Sequence, residues 1–197
     1  MAEPDRTITI KNALISSWRK PEAVELAQKL DSIGVNLFAS GGTADAILDT
    51  GIKVSRLEDI TGFNDLLGGR VKTLHPAVYA AILARRDDPR DIQDLEKFGL
   101  RPFDLVAVDL YPFPTDLSGE EDIPVELIDI GGVSLIRAAA KNYRFVTVLC
   151  RAELFSQTAD RIVSNQGVIS IDYSIRLAKA TFHHTSTYDS RIAESFR

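Results

Sequence analysis

The stretch Phe103-Asp-Leu-Val-Ala-Val-Asp-Leu110 decides the fold. Its centre, Leu105 to Val108, is continuously apolar, with Asp104 before it and Asp109 after it. A strand with one wet face alternates apolar and polar residues. A strand covered on both faces does not, and that coverage is the mark of a parallel sheet. Tyr111-Pro112 then turns the chain away.

Other short apolar runs lie on either side. Ile8 to Ser16, Val35 to Ala39 and Phe145 to Leu149 read as strands, and Lys53 to Arg56 as a short edge strand. Helices are expected between them. Pro21 to Gly34 carries Ala23, Leu26, Ala27, Leu30 and Ile33 on one stripe, with proline in the first turn and glycine at the end. Ala44 to Thr50, Val78 to Ala84, Ala152 to Asn165 and Ser170 to about Phe196 also read as helical. Asp88 to Phe98 is another helix, with Ile92, Leu95 and Phe98 as its core face; Asp59 to Leu67 reads as irregular or briefly helical. Thr115 to Pro124 is polar and reads as a surface loop. Alternating strands and helices predict an α/β domain over residues 1–197, its parallel sheet flanked by helices and its C-terminal segment, from about 152, helical. In such sheets ligands bind beyond the carboxyl ends of the strands.

The 197 residues are enough for a well-buried core. Hydrophobic residues make up 45% and charged residues 26%, the balance of a soluble globular chain. A net charge of -5 argues against sequence-independent nucleic-acid binding, which neutralises phosphates with excess cations. No apolar segment is long enough to span a membrane, and Met1 to Arg6 lacks the apolar core of a signal peptide, so a cytoplasmic location is expected. Cys150 is the one cysteine; it closes an apolar run and suits buried packing.

Three stretches carry candidate chemistry. Ser40-Gly-Gly-Thr43 joins a strand to a helix. Its glycines let the backbone approach a ligand, and the first helical amides suit a phosphate monoester. The same residues also serve as a tight connection with Thr43 as N-cap. Gly68-Gly-Arg-Val-Lys-Thr-Leu-His-Pro76 places Arg70 and Lys72 two residues apart, on one face if the segment is extended. That pair suits an anion, although a solvated basic loop fits as well. Asp129-Ile-Gly-Gly132 is a second glycine turn, opening a helix that ends at Lys141. Asp129 also fits a plain N-cap, and Lys141 a last-turn partner of the helix dipole. His183 and His184 diverge on a helix and His75 precedes Pro76, so these histidines suggest no metal.

Taken together, Ser40-Gly-Gly-Thr-Ala44, Gly69-Arg-Val-Lys-Thr-Leu-His-Pro76, Leu110-Tyr-Pro-Phe113 and Asp129-Ile-Gly-Gly132 with Ala138-Ala-Ala-Lys-Asn142 resemble the IMP cyclohydrolase domain. That domain is usually the N-terminal half of the bifunctional enzyme AICAR transformylase/IMP cyclohydrolase. The resemblance runs from Ala13 to the tail, including Phe182-His-His-Thr and Tyr188-Asp189. It implies a methylglyoxal-synthase-like three-layer fold, and closure of formyl-AICAR to IMP with loss of water, without cofactor or metal, in a homodimer. Ser16, Lys20, Ser40, Gly41, Gly42, Thr43, Arg70 and Thr73 are implied to hold the nucleotide, with Asp109, Ile130 and Gly131 near the base. Lys141, Lys72, Asp129 and Tyr111 are implied to do the chemistry: Lys141 to transfer protons, Lys72 to stabilise charge, Tyr111 or Asp129 to orient the carboxamide. Two places depart from the family. Its Ser-x-Ser/Tyr-Asp-Lys-Thr-Gly loop is here Ser16-Ser-Trp-Arg-Lys-Pro-Glu22, and Asp109 replaces an expected Asn. The chain also stops where a transformylase half would begin, so only the closing step is expected. Rival readings on the same fold are a phosphorylated-metabolite sensor, a methylglyoxal synthase and a piece of the longer bifunctional protein.

Overall fold

The computed structural model describes residues 7–63, 67–114 and 123–196. In chain order the elements are β1 (Thr7–Thr9), β2 (Asn12–Ser17), α1 (Lys20–Asp31), β3 (Asn36–Ala39), α2 (Gly41–Leu48), β4 (Ser55–Arg56) and α3 (Leu57–Thr61). Then come α4 (Pro76–Leu83), α5 (Pro89–Lys97), β5 (Leu105–Asp109), α6 (Ile130–Lys141), β6 (Thr147–Leu149), α7 (Phe155–Ser164), β7 (Val168–Ser170) and α8 (Ile171–Ser195). The main sheet has five parallel strands in the order β4-β3-β2-β5-β6. Every residue of β5 is buried, and Ala13, Leu14 and Ile15 of β2 are completely so. α1 packs on α2 and α7, while α6 packs on α4 and α8, which places helices on both faces. This is the three-layer α/β architecture expected from the apolar strands.

The parallel register sets the functional edge. Ser17 lies beside Asp109, and Ala39 beside Arg56, so the strands end together and the following loops share one rim. Each parallel connection returns through a helix, so α2 and α6 begin at this rim and run back toward the other.

Two expectations need correction. Ile8 to Ser16 is two strands: β1 leaves the main sheet and pairs antiparallel with β7, a short strand between the last two helices that was not expected. The Ile10 amide donates to the Gly167 carbonyl at 2.8 Å, marking where the chain changes partners. Phe98 is 67% exposed because it is the C-cap of α5, beyond the turn that carries the buried Leu95. The expected loop at Thr115 to Pro124 lies largely outside the described residues.

Asp104, which merely interrupted the apolar run in sequence, fastens the opposite end of the sheet. It is 7% exposed. One carboxylate oxygen accepts from the Lys11 and Asn12 amides, both at 2.9 Å, and the other from Arg86 at 3.0 Å. Removing the carboxylate leaves two backbone amides at the start of β2 and a guanidinium without it. Asp104→Ala is expected to lower the unfolding free energy by about 3 kcal/mol, measured by urea denaturation, with no change in the slope against urea.

Candidate functional site

At the rim, the start of α2 and the end of β2 are tied through Thr43. Its hydroxyl donates to the Ser17 carbonyl at 3.0 Å and accepts from the Ser17 amide and the Lys20 ammonium, each at 3.1 Å. Lys20 also donates to the Ser17 carbonyl. Ser40, the N-cap of α2, is extended and makes no side-chain cap bond. Gly41 has a φ of +47°, a conformation L side chains rarely adopt. A Cβ there would sit 3.1 Å from the Lys72 ammonium, and one at Gly42 would sit 3.6 Å from Lys20 Cε. Two lysines therefore flank one glycine turn. Burial lowers the Lys20 pKa, the charge of Lys72 lowers it further, and Asp45 opposes both.

The start of α6 forms the second half of the site. Asp129 is its N-cap, accepting from the Gly132 amide at 2.6 Å and from the Tyr111 amide at 3.4 Å. Burial raises the Asp129 pKa, against the pull of those two amides. A Cβ at Gly131 would lie 2.6 Å from the Thr73 hydroxyl, closer than real Cβ atoms come to other heavy atoms. Thr73 and Lys72 are neighbours in sequence. One short segment therefore reaches the α2 start through Lys72 and the α6 start through Thr73.

Among the expected site residues, Lys20, Gly41, Gly42, Thr43 and Lys72 gather at α2, and Thr73, Tyr111, Asp129 and Gly131 at α6. Tyr111 and Ile130 are 55% and 59% exposed at the rim. Others fall elsewhere. Arg70 and Lys72 do not converge: the segment turns, and Arg70 pairs with Glu126 on the surface. Ser16 is half-buried, and the loop contacts belong to Ser17, whose hydroxyl donates to the Arg19 carbonyl at 2.9 Å.

Asp109 is likewise taken up by the protein. Arg19 grips it with two hydrogen bonds, 2.8 and 3.0 Å, and the Ala152 amide donates to it at 2.9 Å. Arg19 also meets Glu153 at 2.6 Å and lies 5.7 Å from the Trp18 ring centre. Arg19 of the altered loop and Asp109 thus form one ion pair.

Lys141 lies apart from these groups within one chain. It is exposed at the far end of α6, and its helix spans 12 residues. At 1.5 Å per residue its backbone lies about 16 Å from Ile130. The next residue, Asn142, donates to the Ile82 and Ala84 carbonyls, away from the strand ends of the functional rim. Within one chain Lys141 does not meet Lys72. The lysine that does share the pocket is Lys20.

Sequence reasoning also missed Glu58. Its carboxylate accepts from the Gly41 amide at 3.2 Å, and its other oxygen is buried without a hydrogen bond among the described residues. An anion taking that amide must displace it. No sequence pattern announces this, because the contact joins residues 17 positions apart that the fold brings together. His75 caps α4, accepting from the Ala77 amide at 3.2 Å. Among the described residues no group of His, Cys, Asp and Glu is arranged to hold a metal ion, and no helix is long and apolar enough to cross a membrane.

The contact between Gly131 and Thr73 gives a direct test. Gly131→Ala places a methyl group against the Thr73 hydroxyl and is expected to cost about 2 kcal/mol of unfolding free energy. Thr73→Ala in the same chain removes the obstructing oxygen and is expected to restore most of that loss in thermal and urea unfolding.

Comparison with known proteins agrees with this geometry. The MGS-like domain family matches residues 22–134, and the AICARFT/IMPCHase bienzyme family matches residues 139–197. The bifunctional purine biosynthesis protein PurH of a Cyanothece strain is 44% identical over 185 residues, covering 92% of this chain and 36% of the relative. PurH of Trichodesmium erythraeum is 42% identical over 185 residues, with coverage of 92% and 36%. A crystal structure of ForH superposes with a TM-score of 0.82 at 30% identity, covering 94% of this chain and 96% of that one. The chain spans about 36% of the length of these PurH relatives. With the family match spanning residues 22–134 and a matching fold, the chain belongs to the MGS-like domain family.

Proposed function

We propose that this chain is an IMP cyclohydrolase, closing formyl-AICAR to IMP with loss of water. The observation that carries the reading is the Lys72-Thr73 segment, which touches both glycine helix starts. A phosphate monoester at α2 would find helical amides, Thr43, Lys20 and Lys72. The same nucleotide would then extend along the rim toward Asp129 and Tyr111.

In the closing step the carboxamide nitrogen attacks the formyl carbon of the same molecule. The two reacting groups are already tethered, so holding them in line supplies much of the rate. The carboxamide nitrogen must lose one proton and the formamide nitrogen a second as the new carbon–nitrogen double bond forms, and the former formyl oxygen takes both and leaves as water. Asp129 is suited to carry a proton from the attacking nitrogen to that oxygen, because burial makes its carboxylate more basic than an exposed one. The Lys72 ammonium would stabilise charge developing on oxygen. The exposed Tyr111 ring would lie along the base. A phosphorylated-metabolite sensor needs only the α2 turn; the desolvated Asp129 beside a second glycine turn favours an enzyme.

The test is to add formyl-AICAR to the purified protein, without folate or metal, and follow IMP by absorbance and mass. IMP formation is expected, with kcat lowered about 100-fold by Asp129→Asn and by Lys72→Ala. Tight nucleotide binding without turnover would sink the catalytic reading in favour of the sensor.

Asp129→Asn carries a second expectation. A carboxyl whose folded pKa is raised loses stability as pH rises from below its unfolded pKa through the folded value. At neutral pH the ionised Asp129 therefore weakens the fold, whereas Asn keeps an N-cap acceptor without the charge. Thermal unfolding at pH 7 should show no loss of Tm in the variant that loses activity.

A further inference from the structure

We propose that Tyr188, on α8, is a positioning residue for Asp129, so that the C-terminal helix forms part of the catalytic apparatus. The proposal rests on the reading that Asp129 handles the proton. Tyr188 is 6% exposed, and a buried phenol needs hydrogen-bonding partners. It finds both in the turn before α6. Its oxygen accepts from the Asp129 amide at 2.9 Å, and its hydrogen is donated to the Leu127 carbonyl at 3.2 Å.

Asp129 is consequently held from two sides. The carboxylate is fixed ahead of it by the Gly132 and Tyr111 amides, and the backbone behind it by Tyr188. The side-chain bonds orient the carboxylate relative to α6. The phenol ties the turn that carries it to α8, and α8 packs along α6. The two residues are 59 positions apart, and they fall in the two different family matches, 22–134 and 139–197. The second match thus supplies the support for a carboxylate in the first.

The substitution Tyr188→Phe keeps the ring and removes the two hydrogen bonds. A carboxylate freed to shift by a fraction of an ångström loses alignment with the reacting nitrogen, while Lys20 and Thr43 at the other end of the nucleotide are untouched. With formyl-AICAR, kcat is expected to fall about tenfold with KM changed less than about twofold. Tyr173→Phe serves as control: on the same helix, its hydroxyl meets Thr158 at 3.0 Å, and both constants should stay at wild-type values. In an Asp129→Asn background, Tyr188→Phe should cause no further fall in kcat, because its route of action is already gone. Unchanged kcat in Tyr188→Phe, an equal further fall in the Asp129→Asn background, or a Tyr188→Phe protein that does not fold would each overturn the proposal. A wild-type protein that forms no IMP would instead overturn the function on which it rests.

Discussion

The close approach of Thr73 to Gly131 is the constraint on which the rest of the rim depends. A side chain at position 131 would hold the 72–75 segment away from α6, and Lys72 would move with it. Glycine here answers a demand for space, since its backbone is ordinary helix. At Gly41 the demand differs: the backbone has a positive φ as well as a nearby lysine. The two Gly-Gly pairs look alike in sequence and solve different problems. Together they let one crossing segment complete two helix starts that the parallel sheet has already brought to the same edge.

Electrostatics divide the rim into two regions. At α2, Lys20 and Lys72 concentrate positive charge beside helical amides, and Glu58 takes one of those amides in their midst. At α6, burial isolates a single carboxylate from strong cationic partners and raises its proton affinity. Positive charge and the isolated carboxylate are thereby kept apart along one edge of the sheet.

The sheet was legible in the sequence because it is encoded locally. Leu105 to Val108 needs no knowledge of its neighbours to read as doubly covered, and the apolar stripe of α1 fixes its packing face. The division between β1 and β2 was not legible, since Ile8 and Ile10 are equally apolar whichever strand they pair with. At the site, the glycine turns and the acid before α6 could be recognised from residue type and order. What escaped were contacts across the fold: Glu58 on Gly41, Tyr188 on Asp129, Arg19 on Asp109. Lys141 shows the converse. A motif that keeps it twelve residues from Asp129 says nothing about distance until the intervening residues are known to be one straight helix.

The Arg19–Asp109 pair couples two positions that the resembled family pattern fills with an acid and an amide. An aspartate at position 109 facing an acid at position 19 would bury like charges side by side, with the Ala152 amide as the only relief. Arginine facing an amide keeps one good hydrogen-bond acceptor and leaves its charge to Glu153, at the solvent edge. Each member of the pair therefore depends on the other: an acid in place of Arg19 alone would leave the buried Asp109 facing a like charge.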